Sequence, residues 1–238
     1  MNKLFKDIRQ GNIESVKAII EKKPESVNEI FTGTKPKKDI GQSPLEVAIK
    51  CGAFEIVDYL LDHGADPGFV ESQDQIDANC VCTSVLQIAL TNGMYSLVHQ
   101  SPNLVDTPDK YVKVIERLLE MGADPNKNPV SDNPARQPES TMRVFVFSAS
   151  NALKITNERA ERHPEDHEKA KRIVRYVLEL LIKYKADFDG WFDNEESAGL
   201  NNRVFLLKDP PEEMSNYLRY AYHATQDIRA ILQDYFAS

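Results

Sequence analysis

The chain has 238 residues, of which 41% are hydrophobic and 28% are charged, a composition typical of a soluble globular protein. Asp and Glu (37) outnumber Lys and Arg (29), so the net charge is −8, which disfavours a general nucleic-acid binder. Three cysteines are too few for a disulfide framework, and the N-terminus lacks the apolar core of a secretory signal. We therefore expect free thiols and a cytoplasmic location. The longest apolar runs fall short of the about 20 residues that span a bilayer, so no membrane segment is predicted.

Helical patterns follow one another in pairs along the chain. Gly11 is predicted to form the turn within the first pair. In the second pair, Ser43 suits the N-cap of a helix and Pro44 its first position, and Gly52 is the predicted turn. Gly93 is predicted to have the same role in the third pair, because these three glycines are spaced evenly by 41 residues.

The second helix of each pair ends in a repeated motif. Residues 60–67 read LLDHGADP and residues 118–125 read LLEMGADP, with a degenerate copy, LIKYKADF, at 181–188. Gly64 and Gly122 occupy the position where a left-handed residue ends a helix. The repeating unit is therefore a helix, a glycine turn, a second helix, a glycine stop and a loop.

One unit of this kind resembles the ankyrin repeat at about a dozen positions. They are Gly41, Ser43, Pro44, Leu45, Ala48, Gly52, Ile56, Val57, Leu60, Leu61, Gly64, Ala65 and Asp66. The resemblance implies an all-α solenoid of four to five helix-turn-helix units joined by extended hairpin loops, called fingers below. We predict a single domain over 1–238, with units at about 2–40, 41–79, 80–138 and 139–189 and a divergent C-terminal helical cap at 190–238. At the position of Glu46 the family usually has a histidine that ties neighbouring turns together by hydrogen bonds.

A repeat of this family usually has about 33 residues, and the units of this chain are longer. The extra residues are predicted to lie in the fingers, at 29–40, 68–82, 126–142 and 189–202, and in the links between paired helices, at 94–110 and 157–168. Neutral drift and partner binding remain alternatives for each loop, and we expect at least one loop to contribute to binding.

No catalytic signature is visible in the sequence, so we predict no enzyme, no metal site and no cofactor. His163 and His167 flank two acids, but Pro164 disfavours helical geometry at His163, which favours an ordinary helix start with an acidic first turn. An enzyme hidden in the divergent residues 139–238 is the alternative. It would require a shared pocket for His163, His167, His223, Asp187 and Asp193.

The resemblance implies that a partner binds the concave face, which the fingers and the far ends of the first helices form. The candidate residues are the two positions before each turn glycine and the matching finger positions of the second unit: Arg9, Gln10, Lys50, Cys51, Thr91, Asn92, Asp39, Ile40 and Gln42. Trp191 and Phe192, which acids flank, form a second candidate anchor. Alternatively, these two aromatic residues seal the last helices.

The resemblance implies non-catalytic recognition of one specific protein partner, as by an inhibitor or an immunity-type adaptor. The negative net charge favours a basic partner, and neither nucleic acid nor a membrane is expected to bind. A monomer is the default state. The alternative function is that of a bacterial effector, translocated into a host cell to bind a host protein.

Overall fold

A computed structural model describes residues 2–33, 36–72, 82–98, 107–130 and 139–186. These residues form α1 (Lys3–Arg9), α2 (Ile13–Lys22), α3 (Pro44–Lys50), α4 (Phe54–Asp62), α5 (Val85–Ser96), α6 (Thr107–Glu120), α7 (Thr141–Glu158) and α8 (Pro164–Lys183). Two short 3-10 turns, Pro24–Asn28 and Lys37–Asp39, lie between α2 and α3. The only β-type pairing in the described ranges is an isolated bridge between Val70 and Ser84, which confirms the all-α prediction. Within the same ranges, every helix is too short or too polar to cross a membrane.

The chain divides into two compact units. The N-terminal unit comprises Met1–Asn92 and Asp109–Thr141, and the C-terminal unit comprises Gly93–Pro108 and Met142–Ser238. The single domain over 1–238, with its boundaries between repeats, stays a prediction.

Two layers of helices build the first part of the N-terminal unit. Helix α1 packs on α3 in the first layer and α2 packs on α4 in the second, while each first helix also packs on its own second helix. The apolar residues recur every three or four positions, so each helix turns one apolar stripe inward. The largest side chains buried between the layers are Leu4, Phe5, Ile8, Ile20, Leu45, Ile49, Ile56, Leu60 and Leu61.

The predicted glycine turns and stops are confirmed at four positions. Gly11 and Gly52 both have φ +66°, and Gly64 and Gly122 have φ +87° and +98°. Residues with a Cβ rarely adopt this left-handed backbone, which explains why glycine occupies these turns and helix ends.

The predicted turn at Gly93 is wrong, because Gly93 lies inside helix α5. Met94 and Leu97, which follow it, are buried. Burial of such side chains is worth more than the about 1 kcal/mol that a glycine costs within a helix. The helix therefore continues, and Thr91 and Asn92 lie in its interior rather than before a turn.

The degenerate third motif ends its helix in the same way as the other two. The backbone N–H of Ala186 donates to the carbonyl of Leu181 at 2.9 Å, and the equivalent bonds of Ala65 and Ala123 have the same length. Lys185, with φ +60°, stands where the other copies have glycine. The motif is thus confirmed as far as Ala186, and residues 187–188 lie outside the described residues.

Replacing Lys185 by glycine is expected to raise the free energy of unfolding by about 0.5–1 kcal/mol, since it relieves a left-handed backbone strained by a Cβ. The reverse change, Gly122→Ala, is the matched control and should cost about 1 kcal/mol. Urea unfolding followed by circular dichroism measures both. A loss of stability in Lys185→Gly would contradict the assignment of the strain.

Helix α7 begins at Thr141, and its buried side chains start at once with Met142, Phe145 and Val146 at helical spacing. The predicted long link at 157–168 is wrong, because only residues 159–163 separate α7 from α8.

The predicted start of α8 is confirmed. His163 is the N-cap with φ −139°, and Glu165 and Asp166 lie in the first turn. His167 is buried, and its Nδ1 lies 3.0 Å from the Thr156 hydroxyl of α7. In the described part of the chain, no group of three His, Cys, Asp or Glu residues is placed to hold a metal ion.

Candidate partner-binding face

The start of α3 determines where the first finger meets the helices. The Ser43 hydroxyl accepts a hydrogen bond from the Glu46 N–H, and the Glu46 carboxylate accepts one from the Ser43 N–H at 2.9 Å. This reciprocal capping box confirms the predicted N-cap. It orients the residues just before Ser43, which form the base of the finger.

Backbone hydrogen bonds close the base of each of the first two fingers. The Phe31 N–H donates to the Gln42 carbonyl, and the Gly41 N–H donates to the Phe31 carbonyl, both at 2.9 Å. In the second finger the Glu71 N–H donates to the Thr83 carbonyl, also at 2.9 Å. The two chains of each finger are therefore held together where they leave the helices.

Asp39 anchors the first finger to the ends of two helices. The Asp39 side chain is 2% exposed, and its carboxylate pairs with Arg9 at the end of α1 and with Lys50 at the end of α3, the latter at 3.7 Å. The Arg9 guanidinium also lies 5.7 Å from the centre of the Phe31 ring. Burial lowers the pKa of Arg9 from its ordinary value. The charged form of Arg9 therefore depends on Asp39 to offset the loss of water.

Gln42 connects this ion pair to the second finger. Its side-chain oxygen accepts from Lys50 at 2.6 Å, and its side-chain nitrogen donates to the Glu71 carboxylate at 2.7 Å. The second Glu71 oxygen accepts from the backbone N–H and the hydroxyl of Thr83 at 2.7 and 2.9 Å. We call the set Arg9, Asp39, Gln42, Lys50, Glu71 and Thr83 the finger-base network.

Glu46 lies beside this network and is fully buried. Burial raises the pKa of Glu46 well above its ordinary value, and the neighbouring Glu71 carboxylate raises it further. Its Oε2 atom accepts from Ser43, whereas Oε1 is buried without a hydrogen-bond partner in the described structure. Such an oxygen is best accommodated when it carries a proton.

Gln87 occupies the equivalent position in the next helix pair. It forms the same capping pair with Ser84, at 3.2 Å in both directions. Its amide nitrogen also donates to the Glu139 carbonyl at 2.8 Å, at the base of the third finger. Gln87 thus joins one unit to the finger of the following unit, the role that the family resemblance implies for this position.

The third helix pair docks through polar contacts of α6. The Tyr111 hydroxyl donates to the Ile49 carbonyl at 3.0 Å, and burial raises the pKa of Tyr111 to about 12. Further along α6, Arg117 bridges Asp58 and Asp62 of α4, at 2.5 Å each. These contacts place α6 beside α4 in the second layer.

The structure brings four of the eleven predicted binding residues, Arg9, Asp39, Gln42 and Lys50, into the finger-base network. Of these, Asp39 and Gln42 are buried, because Asp39 is enclosed by its two cations and Gln42 by Lys50 and Glu71, so neither offers an exposed side chain. Gln10 and Cys51 are exposed, whereas Ile40, Thr91 and Asn92 are half-buried. Trp191 and Phe192 lie outside the described residues. Binding by any of the eleven stays a prediction.

Sequence reasoning missed Glu71, Thr83 and Phe31. Glu71 contacts Gln42, which lies 29 residues earlier, so no local spacing identifies the pair. Phe31 was hidden in a segment predicted to be loop, yet its ring packs on Phe5 with 5.0 Å between the centroids. The available signal was Phe31 itself, an aromatic residue in a segment predicted to be a finger loop.

Comparison with protein families supports the resemblance. The family model described as ankyrin repeats, in three copies, matches residues 3–71, which include the first finger and reach Glu71 of the second. No curated protein matches the chain.

Proposed function

Because residues 3–71 carry ankyrin repeats, a module that generally mediates binding between proteins, we propose that the chain binds one specific protein partner. It does so through the concave face of the first helices and fingers, with the long loops contributing. The action is non-catalytic. The chain acts by binding to the partner's surface, as an inhibitor or an immunity-type adaptor does.

The finger-base network is the observation that supports this proposal. Ion pairs and hydrogen bonds link the ends of α1 and α3 to both finger bases. A surface held in place before binding loses little conformational entropy when a partner docks, which favours affinity. Next to the network, Gln10 and Cys51 remain exposed at the ends of the two first helices and offer contact positions.

Affinity capture from native lysate with the full chain, followed by mass spectrometry, tests the proposal. Gln10→Trp and Cys51→Trp place a bulky uncharged side chain on the concave face at positions outside the finger-base network. We expect both variants to lose the proteins that the unmodified chain captures, because a bulky side chain there prevents close docking whatever the charge of the partner.

Glu55→Trp is the matched control, since Glu55 is exposed on α4 in the second layer. It should retain the captured proteins. If the two concave variants retain every captured protein as the control does, the concave face is not the binding surface. Circular dichroism spectra of all three variants must match the unmodified chain for the comparison to count.

A further inference from the structure

The charges of the N-terminal unit are distributed unequally between its two layers. The second layer and the loops that follow its helices carry exposed acids, namely Glu14, Glu21, Glu25, Glu55, Asp58, Asp62, Asp66, Glu120 and Asp124. In the first layer and the first two finger bases, the described acids Asp7, Asp39, Glu46 and Glu71 are buried. Glu29 there is half-buried and accepts from Asn2. An exposed acid, Glu139, occurs at the third finger base.

Cations, in contrast, surround Asp39 on the first layer. Arg9 and Lys50 pair with its carboxylate and keep 18% and 27% of their side chains exposed. Lys37 is exposed two residues before Asp39 in the same 3-10 turn. Lys6 is exposed one turn before Arg9, a spacing that places both on the same side of α1. The surface around this buried carboxylate therefore carries an excess of positive charge.

We infer that this cationic patch, Lys6, Arg9, Lys37 and Lys50, receives an acidic segment of the protein partner. The inference rests on the proposed function and specifies the charge of the partner. The net charge of −8 is a poor guide at this face, since at physiological ionic strength a docking segment senses mainly charges within about 8 Å. Asp39 is already paired with Arg9 and Lys50, whose combined charge exceeds its own, and the buried Glu71 carboxylate accepts hydrogen bonds from Gln42 and Thr83.

NMR spectroscopy of the full, uniformly labelled chain tests this with two peptide probes. At low ionic strength, an oligoglutamate peptide should shift the backbone signals of the cationic patch. An oligolysine peptide should instead shift signals of α2, α4 and α6, where the exposed acids lie. The inference is wrong if oligoglutamate causes no shifts at millimolar concentration or shifts mainly the second layer.

Charge reversal at one exposed lysine makes the test specific. Lys37→Glu should weaken oligoglutamate binding about fivefold, the effect of replacing a surface attraction by a repulsion. Lys113→Glu reverses an exposed lysine on α6 and should leave binding within about twofold. Equal weakening by both variants would show a general charge effect and would overturn the inference.

The outcomes separate this inference from the proposed function. If Cys51→Trp abolishes capture of a native partner while oligoglutamate avoids the patch, the concave face binds a partner of different charge. If both concave variants capture normally, the concave face is not the binding surface and the proposed mode of binding fails.

Discussion

Replacing Asp39 with alanine is expected to lower the free energy of unfolding by about 3 kcal/mol. The carboxylate is buried and faces two cations, of which Arg9 is 18% exposed and packs on Phe31. Without Asp39 the guanidinium retains its desolvation penalty and loses its counter-ion, and breaking a buried pair from one side costs about 3–5 kcal/mol. Urea unfolding at neutral pH measures the loss.

Two further variants distinguish the ion pair from the shape of the side chain. Asp39→Asn keeps the shape and removes the charge, so it should recover only part of the loss. The double change Arg9→Met with Asp39→Ala should be less destabilising than the sum of the two single changes, because it leaves no unpaired buried charge. Additive effects would show that the pair contributes no coupling.

Replacing Glu46 with glutamine is expected to stabilise the chain at pH 7 by about 2 kcal/mol, the order of cost of burying an imperfectly paired polar group. The amide keeps an oxygen to accept from Ser43 and is neutral at every pH, whereas the buried carboxyl must either carry a charge or hold a proton that the unfolded chain has released at this pH. Gln87 shows the same arrangement in the next unit, where the amide donates to Glu139. Thermal and urea unfolding measure the gain.

The gain from Glu46→Gln should depend on pH in a defined direction. Burial raises the pKa of Glu46 in the folded state, so the folded chain holds this proton more tightly than the unfolded chain. The stabilisation that this group contributes is therefore complete below the unfolded pKa of about 4.5 and is lost as pH rises towards the folded pKa.

The advantage of Glu46→Gln should accordingly be small near pH 4 and largest at neutral pH. Glu55→Gln is the control, because Glu55 is exposed on α4 and the same chemical change there should alter stability by less than about 0.5 kcal/mol. A gain from Glu46→Gln that is constant from pH 4 to pH 8 would show that the pKa of Glu46 is not raised by folding.

Helix caps and glycine turns were predictable from the sequence, because each depends on residues within about four positions along the chain. Ser43 caps α3 through a residue three positions on, and Gly11, Gly52 and Gly64 adopt backbones that glycine favours. The same reasoning failed at Gly93, because its helix continues through the burial of Met94, which depends on packing rather than on spacing.

The candidate site was predictable in position but not in organisation. Motif alignment selected Arg9, Asp39 and Lys50 and treated them as separate contact points. Their mutual pairing depends on three segments meeting at one finger base, which no short pattern encodes. The buried carboxylate of Glu71 belongs to the same arrangement and was missed for the same reason.

The two described cysteines differ in a way that provides a built-in probe of the concave face. Cys51 is exposed at the end of α3, whereas Cys82 is buried, and burial raises the pKa of its thiol. Thiolates are the reactive form, so a thiol-directed fluorophore should modify Cys51 in preference to Cys82. In a Cys80→Ser background, the dye would stand one residue from Lys50, at the proposed contact surface. Arrival of a partner would then be visible as a change in emission, without any engineered attachment point.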